Sequence, residues 1–140
     1  MTRHPLHPWL VLAVAVGGAV GACARWVLET WQPAPSGAFP WTTFGINVAG
    51  TVLLALLPAS ALVRRHPVLP PALGTGLLGG FTTLSTFSDE TRALVADGHA
   101  GLAAAYVLSS VAVCLLGVAL VDLSVERSAR DEFDAEEGDL

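Results

Sequence analysis

The sequence contains no lysine, and charged side chains make up only 14% of its 140 residues. A soluble domain carries roughly 25% charged residues, so this shortage excludes an ordinary soluble protein. The net charge of −5 arises at the carboxyl end, because seven of the twelve carboxylates lie from Glu126 onward. The rest of the chain has the composition of a membrane protein.

Carboxylates are also missing from the middle of every long apolar segment, and cysteine is scarce. Four carboxylates lie near the segment ends: Glu29, Glu90, Asp97 and Asp122. Both cysteines, Cys23 and Cys114, lie within apolar segments, and we interpret them as packing residues rather than as a disulfide or metal site.

Hydrophobic residues are abundant at 53%, and they form four segments that are long enough to cross a bilayer. A span needs about 20 mostly apolar residues. The candidates cover residues 9–28, 42–63, 70–96 and 101–123. We predict an all-α membrane protein with one four-helix domain over residues 1–125. The acidic tail, residues 126–140, is predicted to be disordered.

Glycines recur at helical spacing in two of these segments. Gly17 and Gly21 form one pair, and Gly76 and Gly80 form another. Small residues four apart let two helix backbones approach closely within a membrane. Close packing between helices is therefore the simplest interpretation of these glycines.

The third segment has the most informative composition, since glycines and hydroxyl residues fill residues 76–90 at membrane depth. Lipid offers no hydrogen-bond partners, so such a stretch is tolerated only against protein or a water-filled path. It is typical of a helix that breaks and presents backbone carbonyls and side-chain donors to an ion. We predict that this break is the functional site.

The other polar residues of the spans each allow two interpretations. Asn47 lies four residues after Thr43 on the same helix face, where it either joins helices or donates to a ligand. Arg25 either extends to the membrane interface or concentrates anions at a pore mouth. Tyr106 and Ser110 form a polar stripe in the fourth span, although Ser109 is an alternative lining residue.

These groups favour a small anion beside a small cation. Neutral donors and the positive edge of an aromatic ring such as Phe87 bind an anion weakly enough to let it leave. The backbone carbonyls of a broken helix suit a small cation instead. The combination of the two is unusual.

At these positions the sequence resembles the Fluc/CrcB family of fluoride channels. The resemblance is carried by residues 17–25 of the first span, 43–50 of the second and 79–90 of the third, together with Tyr106 and Ser110 of the fourth. It covers all four spans and omits only the leader and the acidic tail.

The resemblance implies a multi-pass protein of the bacterial cell membrane that forms an antiparallel dimer and catalyses no reaction. It would let cytoplasmic fluoride leak out passively, with no nucleic-acid partner, and would hold a structural sodium ion at the dimer centre. The implied sodium ligands are the backbone carbonyls of Gly79 and Thr82. The implied fluoride pathway residues are Arg25, Thr43, Asn47, Ser85, Thr86, Phe87, Tyr106 and Ser110, and Glu90 matches the acidic residue after the break.

One departure from the family pattern is Leu84, which stands where the family has its first pore phenylalanine. Leucine keeps the bulk but lacks a positive ring edge, so either the pathway tolerates the loss or a partner subunit that retains the phenylalanine supplies the missing contact. Arginines are also unevenly placed: Arg3, Arg64, Arg65, Arg127 and Arg130 share one predicted side, and Arg92 lies on the other. Because such bias fixes orientation, the sequence favours a heterodimer over a homodimer of two opposed copies.

Two alternatives belong to other classes of protein. An exporter of the small multidrug-resistance type also has four spans, but it needs a glutamate in the middle of its first span, and none is present. A non-conducting subunit of a larger membrane complex would share the composition, and failure of the purified chain to pass fluoride would favour it.

Overall fold

The computed structural model describes residues 7–138, with side chains as far as residue 126, and every regular element in that part of the chain is helical. We number the α-helices in chain order: α1 (Pro8–Trp31), α2 (Trp41–Leu56), α3 (Ala61–Arg65), α4 (Leu69–Pro71), α5 (Gly79–Phe81), α6 (Leu84–Ala96) and α7 (Ala100–Gly138). A 3₁₀ turn (Leu57–Ala59) follows α2, and a π-helical segment (Ala72–Leu78), called the π segment below, joins α4 to α5.

Three stretches within 7–126 are continuous and apolar enough to cross a membrane: Pro8–Trp31, Trp41–Ala59 and Ala100–Glu126. They correspond to the first, second and fourth predicted spans. Their large apolar side chains stay exposed, with Leu108 at 70% and Leu115 at 66%, as expected for a surface that faces lipid rather than water. The described part of the chain is therefore all-helical and has three candidate membrane spans.

The second span ends earlier than predicted. The α-helix stops at Leu56, and Pro58, which lacks a backbone N–H, lies in the 3₁₀ turn. A separate short helix then starts after Ser60, whose Oγ accepts a hydrogen bond from the Val63 N–H at 3.4 Å. The predicted boundary at residue 63 was therefore wrong, because apolar composition continues across this turn.

The third predicted span, residues 70–96, consists of several shorter elements. α4, the π segment and α5 follow one another from Leu69 to Phe81, and α6 begins at Leu84. Thr82 and Thr83 between them have extended backbones, and we call these two residues the break. None of these pieces reaches the length of a span by itself, so the described chain has three continuous span-length helices rather than four.

Glycines bring α1 against the π segment and α5, as the sequence predicted. A side chain at Gly76 would place its Cβ 2.7 Å from the Val14 carbonyl oxygen, and one at Gly21 would lie 2.8 Å from the Phe81 nitrogen. A Cβ at Gly80 would overlap the Gly18 carbonyl. The two helix backbones are thus in direct contact, and α2 and α6 pack on the other side against α7.

The last helix runs without interruption from Ala100 to Gly138. Its backbone therefore continues past residue 126, where the sequence predicted a disordered acidic tail. The side chains of residues 127–140 lie outside the described part, and the division of the chain at residue 125 stays a prediction.

Candidate functional site

The break is built by two consecutive threonines that close one helix and open the next. Thr82 donates both its backbone N–H and its Oγ1 hydroxyl to the carbonyl oxygen of Leu78, each at 2.9 Å. Thr83 caps α6, since its Oγ1 accepts a hydrogen bond from the Thr86 N–H at 3.1 Å. β-Branched residues also favour extended backbone, so the local sequence stabilises an interruption here.

Asn47 of α2 holds the break in place through two hydrogen bonds. Its Nδ2 donates to the Thr83 carbonyl at 3.0 Å, and its Oδ1 accepts from the Thr83 N–H at 2.9 Å. The amide thus satisfies both backbone groups of a residue that has left the helical pattern. Because the amide group carries two hydrogens, one donor remains for a ligand. Joining elements and donating to a ligand, the two interpretations from the sequence, are compatible.

Hydroxyl groups cluster at the start of α6. Thr83 Oγ1 lies 3.2 Å from Ser85 Oγ and donates to Thr86 Oγ1 at 3.1 Å. Ser85 and Thr86, both predicted as pathway residues, are therefore beside the break. Thr83 itself was not among the predicted site residues, although the spacing of Thr83 and Thr86 is that of a helix cap.

The Glu90 carboxylate accepts hydrogen bonds from two further predicted residues. Thr43 Oγ1 donates to Glu90 Oε1 and Tyr106 OH donates to Glu90 Oε2, each at 2.8 Å. Thr43 and Tyr106 are fully buried. We call these three residues the Glu90 cluster. The sequence matched each of them to the family separately and gave no sign that they bind one another.

Aromatic rings surround the Glu90 cluster. The Tyr106 ring lies 4.8 Å from that of Phe87 and 5.2 Å, edge to face, from that of Phe39. Phe87, a predicted pathway residue, is thus fixed between the cluster and the surface of the molecule.

An open groove of ≈ 890 Å³ runs past the break between α2, the π segment, α6 and α7. It contains many of the predicted site residues: Asn47, Gly79, Thr82, Leu84, Phe87 and Ser110. None of the described residues that line it is charged. Leu84 is 76% exposed in this groove. The described ranges contain no group of three or more His, Cys, Asp or Glu side chains that could hold a metal.

Ser110 is distinctive among the groove residues. The residue is only 6% exposed, and its Oγ has no hydrogen-bond partner within the described chain. Buried hydroxyls are normally paired, so the unpartnered Ser110 Oγ, an atom that is itself buried beside the groove, is an exception. Ser109, the alternative from the sequence, bonds instead to the Tyr106 carbonyl at 3.3 Å.

Arg25 lies apart from the groove, on the α1 side of the break. Its Nη1 pairs with Glu29 Oε2 at 3.1 Å, and its Nε donates to the Gly80 carbonyl at 3.4 Å. The guanidinium therefore contacts the carbonyl end of the helical stretch that precedes the break, where a cation is favourable. Arg25 thus contacts Gly80 just before the break, whereas Asn47 binds Thr83 within it.

Comparisons with known proteins show the family of the chain. The family model described as CrcB-like protein, Camphor Resistance (CrcB), matches residues 12–121. The chain is 39% identical over 120 residues to "Fluoride-specific ion channel FluC 1" of Streptomyces coelicolor, covering 84% of this chain and 78% of the relative. It is 43% identical over 119 residues to "Fluoride-specific ion channel FluC 2" of Nocardia farcinica, covering 83% and 84%.

A third relative lies outside these two genera. The chain is 47% identical over 110 residues to "Fluoride-specific ion channel FluC" of Geobacter sulfurreducens, covering 76% of this chain and 89% of the relative. In all three cases the matched length exceeds three quarters of both proteins.

Proposed function

The chain belongs to the CrcB family, whose curated members are named as ion channels rather than enzymes, and we propose that it forms a fluoride-specific channel in a bacterial cell membrane. Fluoride would leave the cytoplasm passively, which lowers its toxicity. The observation that carries the proposal is the uncharged groove beside the break, in which Ser110 Oγ has no partner within the described chain and Asn47 keeps a free amide hydrogen.

Neutral donors explain why such a groove would conduct. A channel must bind its ion strongly enough to replace water, yet weakly enough to release it. A hydroxyl, one amide hydrogen and the edge of the Phe87 ring meet both conditions for a small anion that accepts strong hydrogen bonds. Chloride is larger and a poorer acceptor, so it gains less from the same donors. We therefore assign fluoride binding to Asn47, Phe87 and Ser110.

The remaining predicted residues support this path. Thr43 and Tyr106 give their hydroxyl hydrogens to Glu90, so their contribution is a fixed wall beside Phe87. Ser85 and Thr86 extend the hydroxyl cluster at the start of α6. Arg25, paired with Glu29, would raise the local concentration of anions on the α1 side of the break.

We also propose that residues 69–96 cross the membrane as a fourth, broken span and that the break holds a structural sodium ion. Gly79 and Thr82 both line the groove, and their peptide oxygens are uncharged ligands of the kind that suit a small cation. A single chain supplies only these two oxygens. An antiparallel second subunit would provide the matching pair and enclose the ion.

The second subunit is proposed to be a related chain rather than a copy. Leu84 is exposed in the groove and offers no ring edge, so a partner that carries phenylalanine there would complete one pathway. The arginine bias also favours a single orientation, with both termini in the cytoplasm.

Fluoride efflux from liposomes tests the function. The chain is reconstituted alone and then with a candidate partner. A fluoride electrode records the fluoride released from the liposomes once the membrane potential that opposes efflux is removed. We expect fluoride to pass and chloride to be retained. Equal fluxes of the two ions through a confirmed active assembly would reject the proposal.

A topology reporter on the carboxyl terminus tests the dimer. If the chain is a heterodimer subunit with a single orientation, every reporter lies inside the cell. A roughly equal mixture of inside and outside, or full conduction by the chain alone, would establish the homodimer instead.

A further inference from the structure

Gly50 lies on the face of α2 that contacts the break, three residues after Asn47, and it is buried. Asn47 binds the backbone of Thr83. The side chain of Thr82 fills the space that a side chain at position 50 would need. A Cβ at position 50 would overlap Thr82 Cγ2 and would lie 3.4 Å from Phe81 Cδ1. Consecutive turns of α2 therefore contact consecutive residues of the break.

Thr82 has little freedom to move away from this contact. Its Oγ1 is bonded to the Leu78 carbonyl at 2.9 Å, and its own N–H bonds to the same oxygen. Rotation about χ1 would carry Cγ2 away from α2 only by removing Oγ1 from that bond, and β-branched side chains have few χ1 alternatives. An added methyl group at position 50 would therefore push on the Thr82 backbone rather than on a flexible side chain.

We infer that Gly50 is a positioning residue: the absence of its side chain seats Thr82 against α2 and so sets the direction of the peptide groups at the break. The inference rests on the proposed function, since a displaced Thr82 matters only if its peptide faces an ion. Asn47 and Gly50 then divide the task, with Asn47 holding Thr83 through hydrogen bonds and Gly50 locating Thr82 through contact.

The test is a double-mutant cycle on the active assembly, with fluoride efflux from liposomes as the readout. Overpacking at Gly50→Ala is expected to lower the flux roughly tenfold or more. Thr82→Ser removes Cγ2, the atom that the new methyl group would meet, and keeps the hydroxyl. The fluoride flux of the Thr82→Ser variant is the reference for the second half of the cycle. Adding Gly50→Ala to the Thr82→Ser variant is expected to change that flux less than about twofold.

Gly45→Ala is the matched control, because Gly45 lies on the same helix and a Cβ there meets nothing within 4 Å. It is expected to conduct like the parent. Gly50→Ala conducting like the parent would overturn the inference, and so would an equal loss of flux when Gly50→Ala is introduced into the parent and into the Thr82→Ser variant. If the parent assembly itself passes no fluoride, the proposed function fails instead, so the two failures are distinct.

Discussion

The groove and the Glu90 cluster are adjacent and both contain hydroxyl side chains, yet they differ in how these polar groups are satisfied. In the Glu90 cluster both carboxylate oxygens receive hydroxyl donors at 2.8 Å. In the groove, Ser110 lies one helical turn after Tyr106 and has no partner within the described residues. Under the proposed function, this difference separates a fixed scaffold from a surface that binds the ion, because buried polar groups are rarely left unpaired without a reason.

Asn47 both holds the break through hydrogen bonds and keeps a free donor in the groove, so its removal is expected to have the largest effect. Asn47→Ala takes two hydrogen bonds from the Thr83 backbone and one donor from the groove. We expect fluoride flux to fall roughly tenfold or more, since each unpaired buried group is costly. Phe87→Ala should reduce the flux less, and Cys114→Ala, which removes no proposed donor from the same groove, least. Parent-like conduction at equal expression would show that Asn47 is structural only.

Two variants on α7 test the difference between the groove and the Glu90 cluster, because each removes one hydroxyl group. Ser110→Ala breaks no bond within the described chain, so we expect the thermal midpoint in detergent to be unchanged and the fluoride flux to fall several-fold. Tyr106→Phe deletes a donor to a carboxylate and should lower the free energy of unfolding by about 1.5–3 kcal/mol.

Thermal unfolding and fluoride efflux are measured on both variants, each compared with the parent. The distinction between scaffold and ligand surface is lost if Ser110→Ala destabilises the protein as much as Tyr106→Phe does. It is also lost if Ser110→Ala leaves the flux untouched.

The smallest expected effect concerns the α1 side of the break, where Arg25 and Glu29 form an ion pair. Glu29 offsets the charge of Arg25, and the two side chains are only 23% and 25% exposed. We expect Glu29→Gln to raise fluoride flux about twofold at low ionic strength and to have no effect at high salt, because screening weakens such fields. Asp89→Asn is the control, since it removes the partner of Arg92 in an exposed ion pair. An increase that persists at high salt would contradict an electrostatic origin.

Local sequence was sufficient for the membrane class, for the approximate positions of the continuous spans and for the glycine pairs. Each of these follows from composition or from spacing along one helix, which is visible in a single segment. The helix is interrupted at Thr82 and Thr83, within the stretch whose glycines and hydroxyls predicted a break, and the position of this break in the middle of a membrane span stays a prediction. Local sequence failed at residues 57–63, where the apolar composition continues although the α-helix has ended.

The hydrogen-bond partners of the polar residues could not be predicted from the sequence. Thr43 and Asn47 lie on one face of α2, but the sequence does not say that Thr43 donates to Glu90 while Asn47 binds Thr83. Those pairings depend on the rotation and depth of α2 relative to α6, which side-chain packing between helices decides. The sequence by itself thus determined which polar groups lie in the apolar segments. The tertiary structure decided which of them are satisfied and which, like the buried Ser110 Oγ, have no partner among the described residues, because hydrogen bonding between helices acts only over a few ångströms.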